Sequence, residues 1–270
     1  MKLNSAIITG ATSGIGASYA SRLAKEGYDL MLTGRRKERL IRLKDKLERS
    51  YGVNVKIFIA DLTDSKQLDH FILTIRQMKH VKMLINNAGY GCSDRFFDSM
   101  YTDQQKMLQL HIVATTKLIH EVAPIIVKNG GGSIINVSSL AAFLPSGQSY
   151  FYCSTKAFLV SFSECLHCDL IHSGVKVQAL CPGYTETEFH KKTGKSKYVT
   201  WMQNRVFWNT PDEVVNYSMK GLSKQKVICI PGLMNRIIYV LTRITPKWIY
   251  YRFSTKKKQH SDVPILSSVA

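Results

Sequence analysis

The sequence predicts an α/β fold in which helices cover both faces of a doubly wound parallel sheet of about seven strands. Two features carry that expectation. Short apolar runs alternate with longer stretches of helical period, and the alternation continues to residue 232 with neither an internal repeat nor a linker. With 270 residues, 45% of them apolar, one domain with a sizeable core is expected, two small domains being the alternative; a disordered or fibrous chain is excluded.

Strands are read at residues 6–8, 30–32, 56–59, 83–85, 133–137, 175–180 and 227–230, and helices at 15–26, 36–50, 65–79, 103–128, 153–172 and 211–223. Parallel strands joined in this way need right-handed crossovers, so a ligand site belongs beyond the carboxyl ends of the strands. The long uncharged run 129–155 is broken by Gly130, Gly131, Gly132, Pro145 and several serines, and no transmembrane helix is expected. The first apolar run lies too near Met1 for a secretory signal. A cytoplasmic location is therefore expected, with the inner face of a membrane as the alternative. Of six cysteines only Cys165 and Cys168 form a CxxC, without a second pair; all six are read as reduced thiols, and no metal is expected.

The first strand leads into Thr9-Gly10-Ala11-Thr12-Ser13-Gly14-Ile15-Gly16, which opens the first helix. Gly10 permits a tight turn, Gly14 lets the backbone approach a pyrophosphate, and Gly16 allows close helix packing. Free N–H groups and the positive dipole end of the helix then face the phosphates, with Thr12, Ser13 and Ile15 in the cradle. In this context the turn marks a Rossmann-type dinucleotide site. At the end of the second strand, where a carboxylate would bind the ribose of NAD, the chain reads Gly34-Arg35-Arg36. Guanidinium groups grip a 2′-phosphate that a carboxylate would repel, so NADP is the expected cofactor. The alternative leaves both arginines as solvated charges at a helix start, a poor place for cations.

Further along, Asp61-Leu62 follows the third strand, Asn86-Asn87-Ala88-Gly89 the fourth and Ser139 the fifth, while Tyr152 and Lys156 share a face of the next helix. These motifs, with the Pro182-Gly183 that follows the sixth strand, resemble the short-chain dehydrogenase/reductase family in its simple, single-domain form, over roughly residues 3–232. The resemblance implies that Tyr152 is the acid/base, that Ser139 orients the substrate oxygen, and that Lys156 favours the phenolate and holds the nicotinamide ribose. It also implies cofactor contacts from Asp61, Leu62, Asn87, Ala88, Gly89, Pro182, Gly183, Thr185 and Thr187, and a dimer or tetramer. One departure stands out. Where the family usually has an asparagine that joins the lysine to solvent through a water, this chain has His111. Histidine can carry a proton relay, or the ring can simply be packed.

The charge is lopsided: the chain carries 37 Lys+Arg against 19 Asp+Glu, and most of the +18 excess lies in residues 189–260. Residues 188–210 mix Lys191, Lys192, Lys195, Lys197 and Arg205 with Phe189, Tyr198, Trp201 and Trp208. That composition fits a lid over an apolar ketone or alcohol with an anionic end, a 3-oxoacyl or hydroxysteroid type, or else a solvated flap. Residues 233–270 read as a basic amphipathic extension, in which Leu233, Ile237, Val240, Leu241 and Ile244 recur at helical spacing. Seven cations and no carboxylate between residues 235 and 258 point to an anionic membrane surface or a partner subunit. Nucleic acid is not expected, since no binding motif accompanies the charge. The rival to an enzyme is a cofactor-binding or membrane-surface protein on the same fold.

Overall fold

The computed structural model describes residues 4–91, Phe96, 100–145, 149–188 and 208–255. Its strands are β1 (Ser5–Thr9), β2 (Asp29–Gly34), β3 (Val55–Ile59), β4 (Val81–Asn86), β5 (Gly132–Val137), β6 (Val175–Leu180) and β7 (Ile228–Cys229). All pair in parallel in the order β3-β2-β1-β4-β5-β6-β7. The sheet starts in the middle and winds outward both ways, so the chain leaves β1 and β4 toward opposite faces at the switch point, the place where doubly wound sheets bind their ligands.

The helices are α1 (Gly14–Lys25), α2 (Lys37–Tyr51), α3 (Ser65–Arg76), α4 (Tyr101–Leu108), α5 (Thr115–Lys128), α6 (Tyr150–Leu170), α7 (Pro211–Ser223), α8 (Leu233–Ile244) and α9 (Lys247–Thr255). Local chemistry sets their ends. Asp64 caps α3 by accepting from the Gln67 N–H at 2.9 Å, and Thr210 and Glu213 form a reciprocal capping box ahead of Pro211. Gly52, at φ +67°, closes α2 in the left-handed conformation that glycine adopts without strain.

Alternation along β1 sorts the core into two layers. Ala6 and Ile8 point to one face, with Leu23, Leu40, Leu47 and Val215 from α1, α2 and α7; Ile7 points to the other, with Phe71, Leu118, Val122 and Ile126 from α3 and α5. Burial on both faces explains why these strands read as unbroken apolar runs. The helix that carries Tyr152 and Lys156 begins at Tyr150, three residues before the expected 153, which puts Tyr152 in its first turn. Among the described residues, the helical stretch Tyr101–Lys128 is long and apolar enough to cross a membrane. Lys106, Lys117 and Glu121 punctuate it, so it contains no long unbroken uncharged run. Its Leu118, Ile119, Val122 and Ile126 lie buried against the sheet, as in a core helix.

Candidate active site

The glycine-rich turn and the loop after β4 are joined through Thr9, at the end of β1. Its Oγ1 accepts from the Asn87 and Ala88 N–H groups at 2.9 and 3.0 Å, and Asn87 Nδ2 donates back to the Thr9 and Gly10 carbonyls. Gly10 sits at φ +67°, and a Cβ on Gly16 would lie 2.5 Å from both Asn87 Nδ2 and the Gly10 oxygen, so neither position tolerates a side chain. The first turn of α1 contains no acidic residue, and Ser13 makes no side-chain cap bond to it. A glycine cradle, free helix amides and no opposing carboxylate in that turn are the donor set that a nicotinamide dinucleotide's pyrophosphate requires.

At the adenosine end, Arg36 rather than Arg35 reaches that turn. Its Nε and Nη2 donate to Thr12 Oγ1 at 3.0 and 2.5 Å, and Nη2 also donates to Ser13 Oγ at 2.7 Å. Arg35 points away: mostly exposed, its Nη1 stands 3.4 Å from Asp61 Oδ2. A Cβ on Gly34 would come within 2.8 Å of Thr12 Cγ2, leaving little room for an acidic side chain there. Two residues that the sequence reading missed complete the cluster. Glu188 accepts from Arg36 Nη1 at 2.6 Å and from Arg39 Nη1 at 2.7 Å through both oxygens, and these two guanidinium groups hold its carboxyl down at about 2. Arg39 was detectable as the basic residue three positions after Arg36, on the same helix face, whereas Glu188 lies 149 positions from it and left no local signal.

Ser139 stands where β5 gives way to a short 3₁₀ turn (Leu140–Phe143), and its side chain caps that turn by accepting from the Ala141 N–H at 3.1 Å. The same side chain lies close enough to the Tyr152 phenol to act on it. Lys156, almost fully buried, donates from Nζ to the Val137 carbonyl at 2.8 Å and lies 5.8 Å from the Tyr152 ring centroid. Burial raises the Tyr152 phenol to about 12 against the opposing influence of Ser139. A phenol so placed is protonated at neutral pH. Burial also lowers the Lys156 ammonium to about 8.

His111 occupies a π-helical turn (Gln109–Ala114) between α4 and α5, the kind of distortion that often accompanies function. The ring is buried, and both nitrogens are engaged. Thr155 Oγ1 gives its one proton to the Tyr152 carbonyl at 3.0 Å, so it accepts from Nδ1–H at 2.9 Å; Nε2 is left to accept from the Tyr90 N–H at 3.2 Å. Burial, then the charge of Lys156, holds the imidazole well below its ordinary value, so it is neutral. A proton relay would have to run through these two bonds. What the geometry supplies directly is a clamp between the loop after β4 and Thr155, in the second turn of the Tyr152 helix. His111→Ala should therefore lower turnover by roughly ten- to a hundredfold, the scale of small misplacements, while His111→Asn, which keeps a donor and an acceptor, should recover much of it. A folded alanine variant with normal turnover would reduce the ring to packing.

The turn after β6 is fixed from beneath. A Cβ on Gly183 would lie 2.4 Å from Asn235 Oδ1, and buried Asn235 donates to the Pro231 carbonyl at 2.7 Å. Pro182 accepts from the Leu140 N–H, and Thr185 pairs in a parallel bridge with Asn209. Thr187 lies over the glycine-rich turn, its Cγ2 2.8 Å from where a Cβ on Gly14 would be. Asp61 meets Arg35 and Thr63, while the Leu62 side chain belongs to the core. Among the described residues no group of three His, Cys, Asp or Glu could hold a metal. The expected lid lies outside the described residues from 189 to 207, as do Lys256, Lys257 and Lys258.

Known proteins share both the sequence and the architecture. The chain is 38% identical over 186 residues to sulfoacetaldehyde reductase 2 of Chromohalobacter salexigens, covering 68% of this chain and 73% of that one. It is 30% identical over 254 residues to the human very-long-chain 3-oxoacyl-CoA reductase, covering 92% of this chain and 77% of the relative. Among solved structures, a short-chain dehydrogenase from Sphingobium yanoikuyae in complex with NADPH superposes with a TM-score of 0.80 at 31% identity, over 97% of this chain and 99% of that one. A bulky-bulky ketone specific alcohol dehydrogenase from Comamonas testosteroni gives 0.76 at 28%, over 99% and 100%. The family model described as short chain dehydrogenase matches residues 4–197, which cover the sheet from β1 to β6 and every residue of the Ser139–Tyr152–Lys156 group, and the chain belongs to that family.

Proposed function

We propose that this oxidoreductase interconverts a bulky apolar ketone and its secondary alcohol with NADP(H), a 3-oxoacyl-type ketone being the favoured substrate. The observation that carries the reading is Ser139 brought next to the Tyr152 phenol, with buried Lys156 beside the Tyr152 ring, at the edge of the sheet that also carries the glycine-rich turn. The nicotinamide, when bound, supplies or accepts the hydride. Ser139 orients the substrate oxygen, the Tyr152 hydroxyl gives it a proton, and the Lys156 charge steadies the phenolate that remains. An aromatic wall adjoins Tyr152 along its helix: Phe96 stacks on Phe151 with ring centroids 5.9 Å apart, and Tyr101 and Tyr150 edge against this pair. Such a wall suits an apolar substrate, and the names of the human and Comamonas relatives agree with it.

A screen with purified protein, followed at the NADPH absorbance, tests the proposal. Long-chain 3-oxoacyl thioesters and bulky ketones should turn over well ahead of sulfoacetaldehyde. If sulfoacetaldehyde were the best substrate, or no apolar ketone reacted, the substrate assignment would fall.

The two shifted groups set the pH dependence. Tyr152 stays protonated to about 12, whereas Lys156 loses its proton near 8. In the direction of ketone reduction kcat/KM should therefore be flat in acid and fall as pH rises through about 8, measured at saturating NADPH. A profile level to pH ~10, the range of an unperturbed lysine, would remove Lys156 from the titration.

A further inference from the structure

Helix α8 turns its more apolar side to solvent. Leu233, Ile237, Val240, Leu241 and Ile244 are between 44% and 69% exposed, and at 3.6 residues per turn they fall within one arc of roughly 100°. The opposite side is anchored: Asn235 is buried beneath Gly183, and Ile238 and Tyr239 pack on Leu140, Ala179 and Ile230. With that inner face fixed, the helix cannot roll to hide the stripe. Trp248 and Tyr251 of α9 extend the exposed apolar surface.

Charge says what the stripe can meet. Arg236, Arg243, Lys247 and Arg252 lie along these two helices, and no Asp or Glu occurs from residue 214 to residue 261. A second copy would set two surfaces of the same positive sign against each other. An anionic lipid surface instead offers opposite charge to the cations and an acyl boundary to the stripe.

Position gives the contact a use. Helix α8 packs on the 3₁₀ turn that follows Ser139, where the Phe143 and Tyr239 rings meet at 4.7 Å, and the Tyr250 hydroxyl donates to the Pro145 carbonyl. The helix that carries the stripe therefore flanks the Ser139 turn, with the stripe itself on the far, solvent-facing side.

We propose that α8 and α9 dock this protein on an anionic membrane surface, the apolar stripe entering the acyl boundary and the cations facing the headgroups. The proposal concerns binding and does not depend on which ketone is reduced. Its test is co-sedimentation of the full chain with phosphatidylcholine vesicles, with and without phosphatidylglycerol, at low and high salt. Binding should require the anionic lipid and weaken with salt. Ile237→Glu with Val240→Glu, both at solvent-facing positions, should abolish binding without changing the melting temperature or the mass in light scattering. Arg243→Gln with Lys247→Gln leaves the apolar stripe intact and should cost roughly fivefold per charge. Absence of binding to anionic vesicles at low salt overturns the proposal. So does a wild-type oligomer that the glutamate pair splits, which would make the stripe a contact between copies.

Discussion

Tyr152→Phe should lower turnover at least a hundredfold on the best substrate while leaving NADPH affinity within about twofold, because the ring stays and only the transferable proton is lost. The packing around residue 152 supports that separation. Thr155 holds the residue by its main-chain carbonyl, and His111 in turn holds Thr155, so the backbone of the turn is set without the phenol. The hydroxyl is influenced by Ser139, a group proposed to act on substrate. Rate and cofactor binding should accordingly come apart in this variant, measured by steady-state turnover and by direct titration with NADPH. A variant of near-normal rate would mean that another group delivers the proton.

The sheet was legible because burial on both faces removes the need for polar alternation. Each strand then shows as a plain apolar run, and each crossover as a segment of helical period. The glycine-rich turn, the Asn87 loop and the Tyr152–Lys156 pair were legible for a different reason: each is a short motif whose spacing is fixed by one turn or one helix. What the sequence hid depends on long-range contact. Glu188 meets Arg36 across 152 positions, and Asn235 meets Gly183 only because α8 folds back under the turn after β6. Periodicity found α8, but it could not say that the apolar side would face outward. That follows from Asn235, Ile238 and Tyr239 taking the inner positions. The pairing of Ser139 with the Tyr152 phenol is likewise a fact of three dimensions, since spacing alone put Tyr152 beside Lys156 and left the serine on another element.

NADPH should bind at least tenfold more tightly than NADH, about 1.4 kcal/mol, which one charge-assisted phosphate contact can supply. Arg36 is already aimed at the glycine-rich turn by Thr12 and Ser13, so little ordering is left for binding to do. Its free valence and that of Arg39 are taken by Glu188. A 2′-phosphate that reaches these guanidinium groups must displace the carboxylate, and the affinity measured is the difference between the two anions. Removing the weaker competitor should therefore help the stronger: Glu188→Gln should tighten NADPH several-fold and leave NADH, which brings no 2′-phosphate, unchanged. Arg36→Ala should act the opposite way and bring the two cofactors close to equal affinity. Calorimetric titration with 2′,5′-ADP and 5′-AMP reads the same contact without turnover, and it separates loss of the phosphate site from damage to the glycine-rich turn, which would weaken both nucleotides alike. Equal binding of the two in the wild-type protein would show that Arg36 and Arg39 serve Glu188 alone.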